Sequence, residues 1–429
     1  MKMKKPVTVV IAGAGGRGRT VYAPYAKKFP ERMKLVAVAD KIQERRESMQ
    51  EEYSLLPEMC FETVEELFAQ PKLADMAFIC TQDQDHVRHA CLALDKGYDI
   101  LLEKPVSPKV AECKMLLEKA QKLGRNVTVC HVLRYAPFYQ KLKELTEQGA
   151  VGKVMTIQAS ENVAYWHQTH SFVRGNWRRS DETSPMILAK CCHDMDILVW
   201  LSGSKCRKAV SMGKLSFFRS ENAPEGAPDY CLSGCPVKEK CLFDAEKIYI
   251  TDEVTGYRAN GNGWMQNAVA LNVDEDGLRE VLKTSPYGRC VFHCDNNVVD
   301  NQTAIFEMEN GISISFHLCG FNQRNYRAIH IMGTEGDIYG ELDTEKIVLN
   351  RFGEEAEEIH LDVQETISGH GGGDYRMLDA MFDARERGGS VPTALEQSVE
   401  SHYMAFAAEQ SRLEGGKVIE MQEFVKSIR

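Results

Sequence analysis

The stretch ILAKCCHDMD, residues 187–196, places two cysteines and a histidine next to one another. Cys191, Cys192 and His193 could begin a metal site, or His193 could be a reactive base beside a cofactor. On a helix of about 3.6 residues per turn, Cys191 and His193 point in nearly opposite directions and cannot share one metal. Both cysteines fall on the apolar stripe of that helix, where free thiols commonly pack in a core. The pattern therefore favours one chemically available side chain, the imidazole of His193.

A second group of cysteines lies in a polar segment further along the chain. Cys231, Cys235 and Cys241 are close in sequence, and Cys290 or, alternatively, Cys294 could supply a fourth thiolate. Four thiolates that bind zinc tetrahedrally can order a loop that has little core of its own. Three cysteines so close together in such a loop predict a structural zinc site, although the spacing is not the C-x2-C of a zinc knuckle. An iron–sulfur cluster also fits four thiolates, and free or oxidised thiols are the remaining interpretation.

A glycine pattern near the start of the chain is typical of a dinucleotide site. Gly13, Gly15 and Gly18 form G-x-G-x-x-G directly after the apolar run VTVVIA, and Asp40 ends the next apolar run, LVAVAD. Such glycines let the backbone approach a pyrophosphate at a helix N-terminus, and the aspartate binds the adenosine ribose hydroxyls. Because a carboxylate repels a 2′-phosphate, the pattern predicts NAD, with NADP less favoured. A tight turn with a capping aspartate is the alternative.

The glycine pattern and Asp40 require a parallel sheet in the first part of the chain to position them. Short apolar runs alternate with helical patterns there, which is the signature of a doubly wound α/β fold. Further on, alternating patterns at 304–318 and 327–342 predict β-hairpins. We therefore expect a Rossmann dinucleotide-binding domain at 1–132 and an α+β domain with a large, mostly antiparallel open sheet at 133–429. A cysteine-containing insertion is expected at about 217–295.

The length, charge and hydropathy of the chain limit the classes of protein to which it can belong. A chain of 429 residues that is 43% hydrophobic predicts a globular protein of two domains. A net charge of −10, without a dense basic stretch, argues against nucleic acid as a partner. No apolar stretch reaches the length of a membrane span, and the first apolar run fits a buried strand better than a signal peptide. The expected location is cytoplasmic, with thiols or metal ligands rather than disulfides.

Several motifs together resemble the Gfo/Idh/MocA oxidoreductases. They are the glycine fingerprint, Thr81-Gln82-Asp83 with His86, Glu103-Lys104-Pro105, MGTEGDIYG and GHGGGDYRMLDAM. The resemblance implies NAD(P)-dependent oxidation or reduction of sugars and cyclitols, and a homo-oligomer, dimer or tetramer, formed through the open C-terminal sheet. The residues expected at the cofactor are Gly13, Gly15, Gly16, Arg17, Gly18, Asp40, Arg45, Thr81, Gln82, His86, Glu103, Lys104, Arg134, Trp177 and Arg178.

Lys104 and His193 are the residues expected to carry the chemistry. Oxidation of a secondary alcohol needs a group that takes the hydroxyl proton as the hydride leaves. Lys104 follows a central strand, at the edge where doubly wound sheets bind ligands, and it matches the family's lysine at this position. His193 matches the family's helix histidine, which assists that lysine, although Ala189 stands where the family often has an aspartate. A solvated lysine and a satisfied core histidine are the alternatives.

Further substrate contacts are expected from three places in the sequence. The segment 171–185, SFVRGNWRRSDETSP, combines guanidinium donors with an aromatic ring, which suits a polyol or a carboxylate. Lys190 adds a cation for an acidic or polyhydroxylated substrate, and His370 lies in a glycine-rich segment that permits close approach. The predicted substrate-binding residues are Lys104, Arg174, Asn176, Trp177, Lys190, His193 and His370.

The combined pattern predicts an NAD-dependent oxidoreductase of a sugar, glycoside or inositol-like polyol. An NAD-dependent glycoside hydrolase or lyase that acts through a transient 3-keto sugar would use nearly the same residues. A non-catalytic sensor of nucleotide and sugar is the third interpretation. The pairing of Lys104 with His193 favours an enzyme over a sensor.

Overall fold

Two β-sheets organise the protein in a computed structural model that describes residues 5–361, 369–389 and 391–428. Over these residues one sheet has six strands and the other has nine. All strands of the first sheet precede those of the second in the sequence.

The first sheet is parallel throughout. Its strands are β1 (Val7–Ala12), β2 (Met33–Ala39), β3 (Cys60–Phe61), β4 (Met76–Ile79), β5 (Asp99–Leu102) and β6 (Val127–Val129). They lie in the order β3-β2-β1-β4-β5-β6. The order reverses between β1 and β4, and dinucleotides bind in the crevice at such a switch point. The predicted Rossmann fold is confirmed.

Helices connect these strands and cover the sheet. They are α1 (Ala23–Lys28), α2 (Gln43–Tyr53), α3 (Val64–Ala69), α4 (His86–Asp95) and α5 (Val110–Leu123), and α6 (Pro137–Glu147) follows β6. A π-helical turn, Gly16–Tyr22, runs from the glycine loop into α1. The start of α3 has a local cause, because the side chains of Thr63 and Glu66 form a capping box.

The second sheet is antiparallel except for one pair of its described strands. Its strands are β7 (Val154–Ala164), β8 (Cys206–Lys214), β9 (Asn301–Met308), β10 (Ser313–Asn322), β11 (Tyr326–Gly333), β12 (Gly336–Glu341), β13 (Lys346–Arg351), β14 (Glu357–His360) and β15 (Ile419–Glu420). They lie in the order β14-β13-β12-β11-β7-β10-β9-β8-β15, and only β7 and β10 run parallel. Both predicted hairpins, β9–β10 and β11–β12, are confirmed. Gly311, with φ of +89°, makes the first turn.

The remaining helices pack on the second sheet, within the segment 217–295, or next to the first sheet. They are α7 (Tyr165–Gln168), α8 (Met186–Ala189), α9 (Cys192–Ser202), α10 (Tyr257–Asn260), α11 (Trp264–Val269), α12 (Glu275–Leu282), α13 (Gly369–Arg387), α14 (Leu395–Leu413) and α15 (Met421–Ser427). Ala394, just before α14, bridges to Thr128 in β6. Both halves of the chain therefore contribute to the surroundings of the first sheet.

The helix expected over 187–196 is interrupted. Helix α8 ends at Ala189 and α9 begins at Cys192. Cys191 and Cys192 are both fully buried, as the apolar stripe predicted.

The segment 217–295 folds around two small apolar groups of its own. One includes Tyr249 and Leu278, and the other includes Phe218 and Phe292. Among the described residues, no helix combines the length and apolar character that crossing a membrane requires.

Candidate active site

The glycine loop after β1 leaves room for the phosphates of a ligand. A Cβ atom on Gly13 would lie 2.6 Å from a backbone carbonyl oxygen, and one on Gly18 would overlap the carbonyl oxygen of Gly13. Gly13 also has a φ of +97°, so both positions require glycine. A Cβ on Gly15 or Gly16 would meet no backbone atom of the described chain within 4 Å. The open side of the loop therefore fits a pyrophosphate held by backbone amides.

Asp40 lies beside this loop at the end of β2. Its carboxylate accepts hydrogen bonds from the backbone amides of Ala14, at 2.7 Å, and Ile42, at 2.9 Å. Arg45 Nη1 lies 3.8 Å from Asp40 Oδ2. Each carboxylate oxygen can accept a further hydrogen bond, which suits the ribose hydroxyls of NAD. The loop and Asp40 together fit NAD, whose nicotinamide supplies a hydride acceptor.

His86 joins the loops that follow β4 and β5. Its Nε2 lies 3.0 Å from the carbonyl oxygen of Thr81, and its Nδ1 lies 2.7 Å from that of Pro105. The Thr81 hydroxyl contacts His89 Nδ1 at 2.9 Å, and Gln82 next to it is exposed. His86 therefore fixes the shape of two loops at the edge of the crevice.

Arg17 is bonded to carboxylates of the protein itself. Its Nε donates to Glu103 Oε1 at 2.6 Å, and its Nη2 donates to Asp374 Oδ1 at 2.7 Å. Tyr22 also donates to Glu103 Oε1, at 2.6 Å. Burial raises the pKa of Glu103, but the Arg17 guanidinium, the Tyr22 hydroxyl and the Lys104 ammonium together lower it by more, so the net pKa is lowered. Arg17 therefore ties the glycine loop to β5 and α13.

Lys104 and His193 are brought together through Ala189. Lys104 Nζ donates to the carbonyl oxygen of Ala189 at 3.0 Å, and His193 lies in the first turn of α9. His193 is 4% exposed, and its Nδ1 has no hydrogen-bond partner among the described residues. Burial, and next the Lys104 ammonium, lower the pKa of His193 well below its usual value. The imidazole is therefore neutral, and its unprotonated ring nitrogen can accept a hydrogen bond.

His131 borders His193 and was not predicted. The two ring centroids lie 5.9 Å apart. His131 is 1% exposed, and both of its ring nitrogens lack hydrogen-bond partners in the described chain. It comes just after β6, as Lys104 comes just after β5. That shared position at the end of a strand is the sequence signal that could have identified it.

His370 completes the group around His193. Its ring centroid lies 5.5 Å from that of His193, and its Nδ1 lies 3.2 Å from Asp374 Oδ2. The structure therefore places Lys104, His193 and His370, from three separate parts of the chain, near one another; their roles in a site stay a prediction. Asp374 was missed, although it follows His370 by four residues in the motif GHGGGDYRMLDAM.

Lys190 belongs to a buried group of four charges. Its Nζ lies 3.3 Å from Glu161 Oε1, and Arg327 pairs with both Glu161 and Asp194. Burial raises the pKa of Asp194, and the Glu161 carboxylate raises it further, against the effect of Arg327. Two cations are thus matched by two carboxylates. The extra cation expected from Lys190 is neutralised by Glu161.

Trp177 reaches the crevice, whereas its neighbours point elsewhere. Its Nε1 donates to Asp83 Oδ1, in the loop after β4, at 3.4 Å. Arg178 instead forms two hydrogen bonds to Asp295, at 2.9 and 3.2 Å. Asn176 is exposed. Arg178 is therefore held by an ion pair inside the second half, and its contact with the cofactor stays a prediction.

Two further arginines correct the sequence-based predictions. Arg134, expected at the cofactor, is buried and binds both carboxylate oxygens of Asp196, at 2.6 and 2.7 Å. Arg174, expected at the substrate, is buried and donates to the carbonyl oxygens of Phe243 and Arg289. A buried guanidinium needs such partners, and the sequence does not reveal them. Neither arginine is part of the candidate site.

The cysteine cluster lies in the segment 217–295, where Cys231 Sγ accepts a hydrogen bond from Arg174 Nη2 at 3.6 Å. Cys231, Cys235, Cys241 and Cys290 line one small cavity, and Cys294 Sγ contacts the carbonyl oxygen of Cys290 at 3.3 Å. In the described part of the chain, however, no three histidine, cysteine or carboxylate side chains are placed to hold a metal ion. The predicted structural zinc therefore has no support in the structure.

A glycine loop, a doubly wound sheet and a lysine–histidine pair at its carboxyl edge define a nucleotide-dependent oxidoreductase. Residues 7–131 match the oxidoreductase family, NAD-binding Rossmann fold, and residues 143–420 match the C-terminal alpha/beta domain of the same family. The chain belongs to the Gfo/Idh/MocA family of NAD-binding oxidoreductases.

Individual relatives are distant. The putative oxidoreductase YteT of Bacillus subtilis (strain 168) is 23% identical over 397 residues, which cover 87% of this chain and 88% of that protein. The D-glucoside 3-dehydrogenase of Escherichia coli (strain K12) is 26% identical over 154 residues, 36% of this chain and 43% of that protein. An inositol dehydrogenase homolog from Azotobacter vinelandii, solved with NAD+, shares the fold with a TM-score of 0.68 at 14% identity, over 98% of each chain.

Proposed function

We propose that the protein transfers a hydride between NAD and a secondary hydroxyl of a sugar, glycoside or inositol-like polyol. The observation that carries the proposal is the placement of the Lys104 ammonium beside the neutral, buried imidazole of His193. A lysine and a neutral imidazole near each other at the ligand edge of the sheet suit the removal of a hydroxyl proton.

The two side chains divide the proton transfer between them. A bound nicotinamide supplies the hydride acceptor. Lys104, as the amine, takes the proton from the substrate hydroxyl while that carbon loses its hydride. His193 then takes the proton from the Lys104 ammonium and returns the lysine to its amine form. In the reduction direction, Lys104 donates the same proton to the carbonyl oxygen.

The charges near the pair support a neutral substrate. Lys190 and Arg327 are balanced by Glu161 and Asp194, and Arg174 is bonded within the segment 217–295. A carboxylate on the substrate would therefore find the charges of Lys190 and Arg327 already balanced. The names of two relatives, a D-glucoside 3-dehydrogenase and an inositol dehydrogenase homolog, agree with a ring hydroxyl as the reacting group.

A homo-oligomer formed through the second sheet is part of the proposal. The face opposite the core exposes apolar side chains, including Met212, Ile305 and Tyr339, as an interface between subunits would require. The domain boundary at 132/133 and the cytoplasmic location stay predictions.

The test is a substrate panel with the purified protein and NAD+. Neutral hexoses, aryl glycosides and cyclitols are incubated, and NADH absorbance and aglycone release are followed together. We expect stoichiometric NADH with at least one polyol. Aglycone release without NADH would instead support the redox-neutral glycosidase interpretation. Neither signal with any sugar would contradict both.

Lys104→Met is the variant that assigns the chemistry. We expect kcat to fall by about 10²–10⁴-fold, as for loss of a general acid–base group, with the Kd for NAD little changed. Lys109→Met is the matched control, because Lys109 is an exposed lysine paired with Glu112. If Lys104→Met keeps wild-type kcat, the assignment of Lys104 is wrong.

A further inference from the structure

His193 has a ring nitrogen without a hydrogen-bond partner among the described residues, and a second histidine lies beside the ring. The nitrogen is the buried Nδ1 of His193, and the ring of His370 lies 5.5 Å away, centroid to centroid. One turn earlier in the chain, Ala189 offers only a methyl group. A proton accepted by His193 therefore needs another route onward.

The backbone at His370 is held in an unusual conformation. His370 has φ of +56°, and Gly371 and Gly372 after it are also left-handed, at +60° and +80°. Histidine is strained in this region, whereas glycine is not. The next residue, Gly373, packs so closely on the carbonyl oxygen of Val132 that a Cβ would overlap it. A non-glycine residue whose backbone is left-handed, here next to a run of glycines, is typical of a functional position.

A buried carboxylate orients His370. Asp374 Oδ2 lies 3.2 Å from His370 Nδ1, and the Asp374 side chain is fully buried. Its other oxygen accepts from Arg17 Nη2 at 2.7 Å. A carboxylate at Nδ1 holds the proton there and leaves Nε2 as the acceptor. The His370 side chain is 34% exposed, so the ring connects the buried site with solvent.

We propose that His370, oriented by Asp374, is a positioning residue that relays the proton from His193 to solvent. The inference rests on the proposed function. With bound NAD as the hydride acceptor, each oxidation would release one hydroxyl proton, which would pass to Lys104 and then to His193. His193 gives that proton to His370 Nε2, while the Nδ1 proton stays on the Asp374 side. His370 then releases the Nε2 proton to water. The charged and titratable groups that face the two rings are Lys104, His131, Arg327, Asp374 and Arg17.

His370→Gly separates this role from a structural one. Glycine relieves the left-handed strain, so we expect a thermal midpoint no lower than that of the wild type and an unchanged Kd for NAD. We expect kcat to fall by about 10–100-fold. Added imidazole, bound in the space left by the ring, should restore part of the lost kcat. His330→Gln is the matched control. His330, on β11, is likewise a histidine paired with an aspartate, Asp337 of β12. Wild-type kcat in His370→Gly, or a loss that imidazole does not restore, would overturn the relay.

Histidine ring NMR without substrate gives a readout that is independent of turnover. We expect His370 to carry its proton on Nδ1, and the His193 signals and their pH titration to shift in both His370→Gly and Asp374→Asn. His193 signals that respond to neither variant would overturn the relay even if the wild type oxidises polyols. If no polyol is oxidised, the proposed function fails, and the NMR result still decides whether the two histidines are coupled.

Discussion

The carbonyl oxygen of Ala189 accepts a hydrogen bond from Lys104 Nζ at 3.0 Å. In an uninterrupted helix, that carbonyl would accept the backbone N–H of His193, four residues on. The break between α8 and α9 makes it available to a side chain of the first sheet. The interruption thereby fixes the lysine and the histidine relative to each other.

Asp40 is expected to set cofactor preference. Asp40→Asn keeps an oxygen for the backbone amides but removes the charge that opposes a 2′-phosphate. We expect the Kd for NAD to rise about tenfold, equivalent to about 1.4 kcal/mol, and the Kd for NADP to fall. Fluorescence titration measures both, and Asp95→Asn, which removes an exposed ion pair with Lys119, is the control. Unchanged Kd values for both cofactors would contradict the role of Asp40.

Arg134 is expected to matter for stability and not for cofactor binding. Arg134→Lys loses the bidentate hydrogen bonds to Asp196. We therefore expect the free energy of unfolding to fall by about 2 kcal/mol. Urea unfolding measures this change, and the Kd for NAD of the folded variant should equal that of the wild type. A raised Kd at unchanged stability would restore Arg134 to the cofactor site.

Glu161 is expected to exclude acidic substrates. Glu161→Gln leaves Lys190 and Arg327 with one carboxylate between them, so we expect kcat/KM for a uronic acid to rise relative to the corresponding neutral sugar. Loss of a buried partner should also lower the free energy of unfolding by about 3 kcal/mol. Glu307→Gln, at an exposed pair with Arg207, should cost less than about 1 kcal/mol. An unchanged substrate ratio in Glu161→Gln would contradict this role.

The protein is expected to lose stability in mild acid through buried histidines. His402 Nε2 accepts from the amide of Val106, its Nδ1 donates to the Ser398 carbonyl, and burial lowers its pKa to about 3. The unfolded chain binds this proton near pH 6.5. The stability is therefore complete above pH 6.5 and is lost as the pH falls toward 3, by up to about 1.4 kcal/mol per pH unit.

His402→Gln tests whether His402 causes the loss of stability at low pH. The slope of the free energy of unfolding against pH, measured by urea denaturation between pH 4 and 6.5, should flatten, whereas His360→Gln, at an exposed histidine, should leave it unchanged. A slope in His402→Gln as steep as in the wild type would assign the acid sensitivity to other groups.

The first sheet was predictable because its signals are local. Each buried strand appears as an apolar run, and Gly13 and Gly18 are required by backbone contacts that any chain with this turn would have. The hairpin at Gly311 is equally local, since the turn needs a positive φ.

Much of the candidate site depends on contacts between distant residues. Arg17 and Asp374 are 357 residues apart, and no periodicity connects them. Arg174 was predicted to bind the substrate because the sequence shows its guanidinium group but not its partners. Those partners, the carbonyl oxygens of Phe243 and Arg289, are distant in the sequence. The break after Ala189 was likewise invisible, because residues 187–196 contain neither proline nor glycine.

The return of the chain to the first sheet matters for protein engineering. Ala394 pairs with Thr128, His402 binds the amide of Val106, and Asp374 binds Arg17. A chimera cut once near residue 132 would leave Arg17 and the Val106 amide without these partners. A graft of a new substrate-binding half must keep α13 and α14 with the nucleotide-binding half, so the exchangeable module is the interior of the chain and needs two junctions.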